Sequence, residues 1–85
     1  MALSWESYKD PDDGYEFVYW RAPGYRIDPE VAWNARSYHP RARVWRVCIA
    51  TAEQRFSGGE VIGTAYSVRE AKAIAEQHAA AKETL

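Results

Sequence analysis

Cysteine is nearly missing from this chain. The single thiol, Cys48, can form no internal disulfide, so the fold has to hold without covalent staples. A reducing compartment, such as a cytoplasm, is the expected home. Histidine occurs only at His39 and His78, and neither has a cysteine or carboxylate at metal-ligand spacing. A zinc site needs four protein ligands, or three plus water, so no metal is expected, and no other cofactor either. Long apolar runs are absent too. The longest, residues 47–52, falls far short of the roughly 20 residues that cross a bilayer, and no membrane association is expected. Met1-Ala2-Leu3-Ser4-Trp5-Glu6 has neither a basic stretch nor an apolar core, so a secretory signal is not expected. Charge of one sign is not in excess: 11 basic residues face 12 acidic ones, for a net charge of −1. That balance argues against nonspecific polyanion binding.

Aromatic residues are plentiful. The chain has 85 residues, enough for one domain, and holds four Trp, six Tyr and two Phe. A domain of this size buries only about 60–70% of the surface that its unfolded chain exposes. Each aromatic ring contributes roughly 150–250 Å² of buried area. Rings can therefore build the core, with some left for a partner surface.

Charge is unevenly placed. Residues 1–20 carry Glu6, Asp10, Asp12, Asp13 and Glu16 against Lys9, a net −4. Residues 21–46 carry Arg21, Arg26, Arg36, Arg41, Arg43 and Arg46 against Asp28 and Glu30, a net +4. The basic excess is all arginine, the residue of bidentate phosphate and carboxylate contacts and of stacking on rings. Pairing with the acidic N-terminal segment inside the fold is the structural alternative.

The pattern of residues predicts an antiparallel sheet and a closing helix. Leu3, Trp5 and Ser7 alternate with Ser4, Glu6 and Tyr8 as in a strand. Asp10-Pro11-Asp12-Asp13-Gly14 reads as a turn. Residues 15–21 read as the returning strand, with Tyr15, Phe17 and Tyr19 on one face and Val18 and Trp20 on the other. Ala22-Pro23-Gly24 ends it, and Tyr25-Arg26-Ile27 reads as a brief third strand. Asp28-Pro29-Glu30 is a helix-start signal, with Asp at the N-cap and Pro at the first helical position. It predicts one or two helical turns over Val31, Ala32 and Ala35, then a loop to Ala42. Residues 43–53 give the clearest strand, with Trp45, Val47, Ile49 and Thr51 on one face and Val44, Arg46, Cys48 and Ala50 on the other. Ser57-Gly58-Gly59 predicts a hairpin turn, and residues 60–66 its partner strand. Ser67-Val68-Arg69-Glu70 is a capping box. The helix it opens runs to about Lys82 with an apolar stripe of Val68, Ala71, Ile74, Ala75 and His78. Lys72 and Glu76 are expected to pair on its outer face. The fold class is therefore α+β, a single domain with a four- to five-stranded antiparallel sheet, β-β-(β)-short α-β-β-α, and a C-terminal helix on one face.

Several segments together resemble a loose group of small uncharacterised bacteriophage and prophage proteins with a β-meander and a covering helix. They are Leu3-Ser4-Trp5-Glu6, Gly14-Tyr15, Gly24-Tyr25-Arg26-Ile27, Trp45-Arg46-Val47, Ile62-Gly63-Thr64, Ser67, Glu70-Ala71-Lys72 and Ala75-Glu76. This chain departs from the short form of the group by inserting residues 28–41. The resemblance implies a phage or prophage origin and no particular activity. In architecture alone, three antiparallel strands and a helix opening on Ser and Glu-Ala-Lys look like the arm-site DNA-binding domains of tyrosine integrases, which lay their sheet in a DNA groove.

Catalytic groups are not apparent. There are no paired carboxylates, nucleophile elbow or Ser-His-Asp candidates. Gly58-Gly59 joins two strands, whereas a phosphate loop joins a strand to a helix. Cys48 sits among apolar strand residues, where a small core side chain is expected, and His78 belongs at the edge of the core. An enzyme is not expected. The candidate binding cluster is Arg36, Tyr38, His39, Arg41, Arg43 and Arg46, with Trp33 and Trp45 nearby. Interleaved arginine and aromatic residues suit protein interfaces, and equally phosphate contact with base stacking. Two readings follow. One is a non-enzymatic phage-type accessory protein that binds a host or phage protein. The other is a nucleic-acid-binding accessory domain that uses residues 36–46 and an aromatic sheet face. A homodimer through an uncovered aromatic face is expected with either.

Overall fold

A computed structural model describes residues 3–10, 17–31 and 42–83. Five strands form one antiparallel meander in chain order: β1 (Glu6–Lys9), β2 (Val18–Ala22), β3 (Tyr25–Val31), β4 (Ala42–Ile49) and β5 (Glu60–Ala65). One helix, α1 (Val68–Glu83), closes the chain and packs on β3, β4 and β5. This is the α+β sheet with a covering helix that the residue pattern predicts.

Strand alternation divides the sheet into a helix face and an open face. Tyr25, Ile27, Val47 and Ala65 point to the helix face and meet Ala71 and Ala75, whose side chains are completely buried. Leu3, Trp5, Trp20, Trp45, Ile49, Ile62 and Ile74 surround this centre. Small helix side chains let the α1 backbone come close to a sheet bearing large rings. At Gly63 the sheet makes room for Ile74, since a Cβ there would lie 3.2 Å from Ile74 Cγ2. The forward bond of the capping box forms as the sequence predicts, while the Glu70 carboxylate reaches one residue further back, to Tyr66 instead of Ser67. The Glu70 amide donates to Ser67 Oγ at 3.1 Å, and the Glu70 carboxylate accepts from the Tyr66 amide at 3.3 Å.

Four local expectations need correction. Asp28-Pro29-Glu30 does not open a helix but continues β3. Among the described residues only Tyr25 to Ile27 pairs with β2, and the second half of β3 borders β4. Pro29 lies where β3 behaves as an edge, and an edge tolerates the missing amide. Ala32 and Ala35 lie outside the described residues. Strand β4 stops at Ile49, short of residue 53, and the turn at Ser57-Gly58-Gly59 is the end of a ten-residue connection, 50–59. Gly58 and Gly59 have φ of 85° and 87°. A Cβ on Gly59 would lie 2.3 Å from the Ile49 carbonyl oxygen, so this connection needs glycine there. Strand β1 begins at Glu6, leaving Leu3 and Trp5 before the strand and against the core. Lys72 and Glu76 do not face outward. Lys72 Nζ lies 3.7 Å from the centre of the Trp20 ring, and Glu76 Oε1 accepts from the Leu3 amide and Trp5 Nε1, both at 3.3 Å.

Candidate functional site

The open face is organised by Arg26 and Asp28. Residues two apart on a strand share a face, and both side chains are buried there, 3% and 7% exposed. Arg26 Nε donates to Asp28 Oδ1 at 2.5 Å and Nη2 donates to Oδ2 at 2.9 Å, the bidentate geometry of a guanidinium on a carboxylate. Nη1 donates to the carbonyls of Gln54 (2.6 Å) and Ser57 (3.1 Å), and Nη2 to that of Gly58 (2.9 Å). All five donors of the group are thus engaged. Arg26 is a strut that folds the 50–59 connection over the open face, and has no donor left for a ligand. Cys48 Sγ lies 3.8 Å from Asp28 Oδ2 in the same buried layer. Burial, then the neighbouring Asp28 charge, push its thiol pKa up, partly opposed by Arg26 and Arg46. The thiol is buried, and its surroundings disfavour the thiolate that nucleophilic chemistry needs.

The folded connection brings Arg55 and Phe56 onto two tyrosines. Tyr8 and Tyr19 are cross-strand partners with rings stacked 5.6 Å apart. Phe56 meets both edge-on, at 5.5 and 5.4 Å. The Arg55 guanidinium lies 4.9 Å from the centre of the Tyr8 ring, and the Tyr8 hydroxyl donates to the Arg55 carbonyl. Burial raises the Tyr8 phenol pKa, the Asp28 charge adds to that rise, and the charges of Arg26, Arg55 and Arg21 oppose it. Three guanidinium groups therefore bear on one hydroxyl.

Beside this cluster opens a cleft of about 430 Å³, lined among others by Glu6, Tyr8, Arg21, Pro23, Gln54 and Arg55. Arg21 Nε and Glu6 Oε2 form an exposed ion pair at 3.2 Å on its wall. A shallower hollow of about 590 Å³ lies on the other side of the Pro23-Gly24 turn, between Tyr25, Ile49, Ala79 and Lys82. At its edge the Tyr25 hydroxyl and His78 Nδ1 are 2.7 Å apart, their rings nearly perpendicular. Burial raises the Tyr25 pKa. This contact ties α1 to β3 and places His78 where the helical stripe predicts it.

The sequence-selected cluster is not assembled within the described residues. Arg36, Tyr38, His39 and Arg41 lie outside them, as does Trp33. Arg43 is in β4, its side chain also outside the description. Arg46 is exposed in β4 opposite Thr64 of β5. Trp45 joins the partly buried shell of the helix-face core. The N-cap pattern at Asp28-Pro29-Glu30 masks the Arg26–Asp28 pair in the sequence. The signal for it was Arg-x-Asp after a strand start, a spacing that places both groups on one face. Among the described residues no three His, Cys, Asp or Glu side chains gather as a metal site, and no helix is long and apolar enough to cross a membrane. The chain matches no protein family, no curated protein and no solved structure.

Proposed function

We propose that this chain is a small non-enzymatic accessory protein of phage or prophage type that acts in the host cytoplasm by binding a host or phage protein, with inhibition of that protein as the simplest consequence. The observation that carries the reading is the Tyr8–Tyr19–Phe56 cluster with Arg55 and Arg21 at the mouth of the cleft. Tyr and Arg over a preformed hollow are the typical composition of energetic hot spots in protein interfaces. A partner presenting a carboxylate to Arg55 and an apolar side chain to the cleft fits this chemistry. The phage setting rests on sequence resemblance alone.

At this cleft, Arg26 and Arg21 favour the protein reading over a phosphate contact. Arg26 is saturated by protein acceptors and Arg21 faces Glu6. Two assays on the intact protein separate the readings. Affinity capture from host lysate, read by mass spectrometry, should recover a protein that is lost with Arg55→Glu and with Tyr19→Ala. Fluorescence anisotropy with labelled 20-nucleotide single strands and duplexes should show no binding at 200 mM salt. Tight oligonucleotide binding that weakens by about one log unit per phosphate contact for each log unit of salt would overturn the proposal in favour of nucleic acid.

A further inference from the structure

The two outer strands of the sheet are not alike. Strand β1 has four residues, and both of its ends are charged, Glu6 and Lys9. Short, charged edges discourage pairing with another chain. Strand β5 has six residues, and from Val61 to Tyr66 the chain carries no charge and no proline. Val61 is 52% exposed and Tyr66, just past the strand, 81%. The one irregularity in its pairing with β4 is a register shift opposite Val47 and Cys48, which leaves residues 63–65 as a regular edge. An edge of this kind invites another strand.

We propose that β5 pairs antiparallel with β5 of a second copy about a twofold axis, joining two sheets into one. Charge placement favours a copy of the same chain. Glu60 opens the strand and Arg69, exposed in the first turn of α1, follows its far end. Antiparallel pairing brings the Glu60 end of each copy beside the Arg69 end of the other, whereas parallel pairing would set like ends together. The helices do not obstruct this. α1 spans β3 to β5, so its axis lies over β4. In the joined sheet the two β4 strands stand three strand spacings apart, about 14 Å. Helices pack at about 8–10 Å, so the exposed Arg69, Ala73 and Gln77 have room between them. The surface is separate from the cleft on the open face, so self-association leaves that cleft free. The aromatic part of the open face is meanwhile crossed by Arg55 and Phe56 and is the less available dimer surface.

Sedimentation equilibrium of the intact protein should give twice the 9.7 kDa chain mass at high micromolar concentration. Thr64→Lys, on an exposed position of the edge, should leave the circular dichroism spectrum unchanged and give a monomer. Glu60→Arg and Arg69→Glu should each raise the dimer dissociation constant at least tenfold, and the two together should restore it. A wild-type monomer at 500 μM overturns the proposal. So does a dimer that ignores Thr64→Lys, or a charge exchange that fails to rescue.

Discussion

Arg26 shows how a residue can be charged, buried and silent. Its neighbours supply one carboxylate and three carbonyls, so its cost of burial is offset only while every acceptor is present. Arg26→Ala would leave Asp28 buried without its cation and release the 50–59 connection. Breaking such a pair costs about 3–5 kcal/mol, much of the stability of a small domain. The urea midpoint should fall by that equivalent, and Arg26→Lys, lacking the fork, should recover little. Cys48 and Tyr25 act in the opposite pH range. Both have folded pKa values raised by burial, so each stays protonated in the fold after its unfolded counterpart has ionised. The unfolded chain then binds fewer protons, and stability falls as pH rises through about 9 and above. Urea midpoints at pH 7, 9 and 10.5 should decline in that order. Cys48→Ala should move the onset toward the tyrosine range.

At the scale of the element, the helix was the most legible part of the sequence. Ser67→Ala removes the acceptor of the Glu70 amide and should cost about 0.5–2 kcal/mol, measured as a lower urea midpoint. The stripe of Ala71, Ile74, Ala75 and His78 was readable because period 3.6 repeats over sixteen residues and nothing competes with it. The strands were readable by alternation, down to the split of Val47 from Cys48 between faces. Their ends were not. Asp28-Pro29-Glu30 carries a good local helix signal, yet the Asp28 side chain is taken by Arg26 and the backbone by β4. Residues 50–53 continue a strand pattern, yet Arg26 draws the carbonyls of 54, 57 and 58 away from it. In both places a contact between distant residues outweighs local preference. The aromatic patch was legible in part. Tyr8 and Tyr19 were seen on strands, but Phe56 and Arg55 reach them only through the folded connection, which no local pattern announces.

At the scale of the whole molecule, a tie between the two ends of the described chain runs from Glu76 to Leu3 and Trp5. Glu76→Ala should free the Trp5 indole from the helix at a cost of about 1 kcal/mol. Its fluorescence should then shift to the red, with little change in far-ultraviolet circular dichroism. This tie also has a meaning in time. Each strand of the meander pairs with the one made just before it, so the sheet can assemble hairpin by hairpin as the chain leaves the ribosome. The helix face cannot close that way, because Trp5 waits for a residue made 71 positions later. Until α1 emerges, Trp5, Trp20 and Ile27 lie bare on a nascent sheet, and the β5 edge is made last of the strands. Ribosome-bound chains halted before residue 68 should therefore be open to protease and to chaperone capture. Chains extended beyond α1 by enough linker to clear the exit tunnel should resist both.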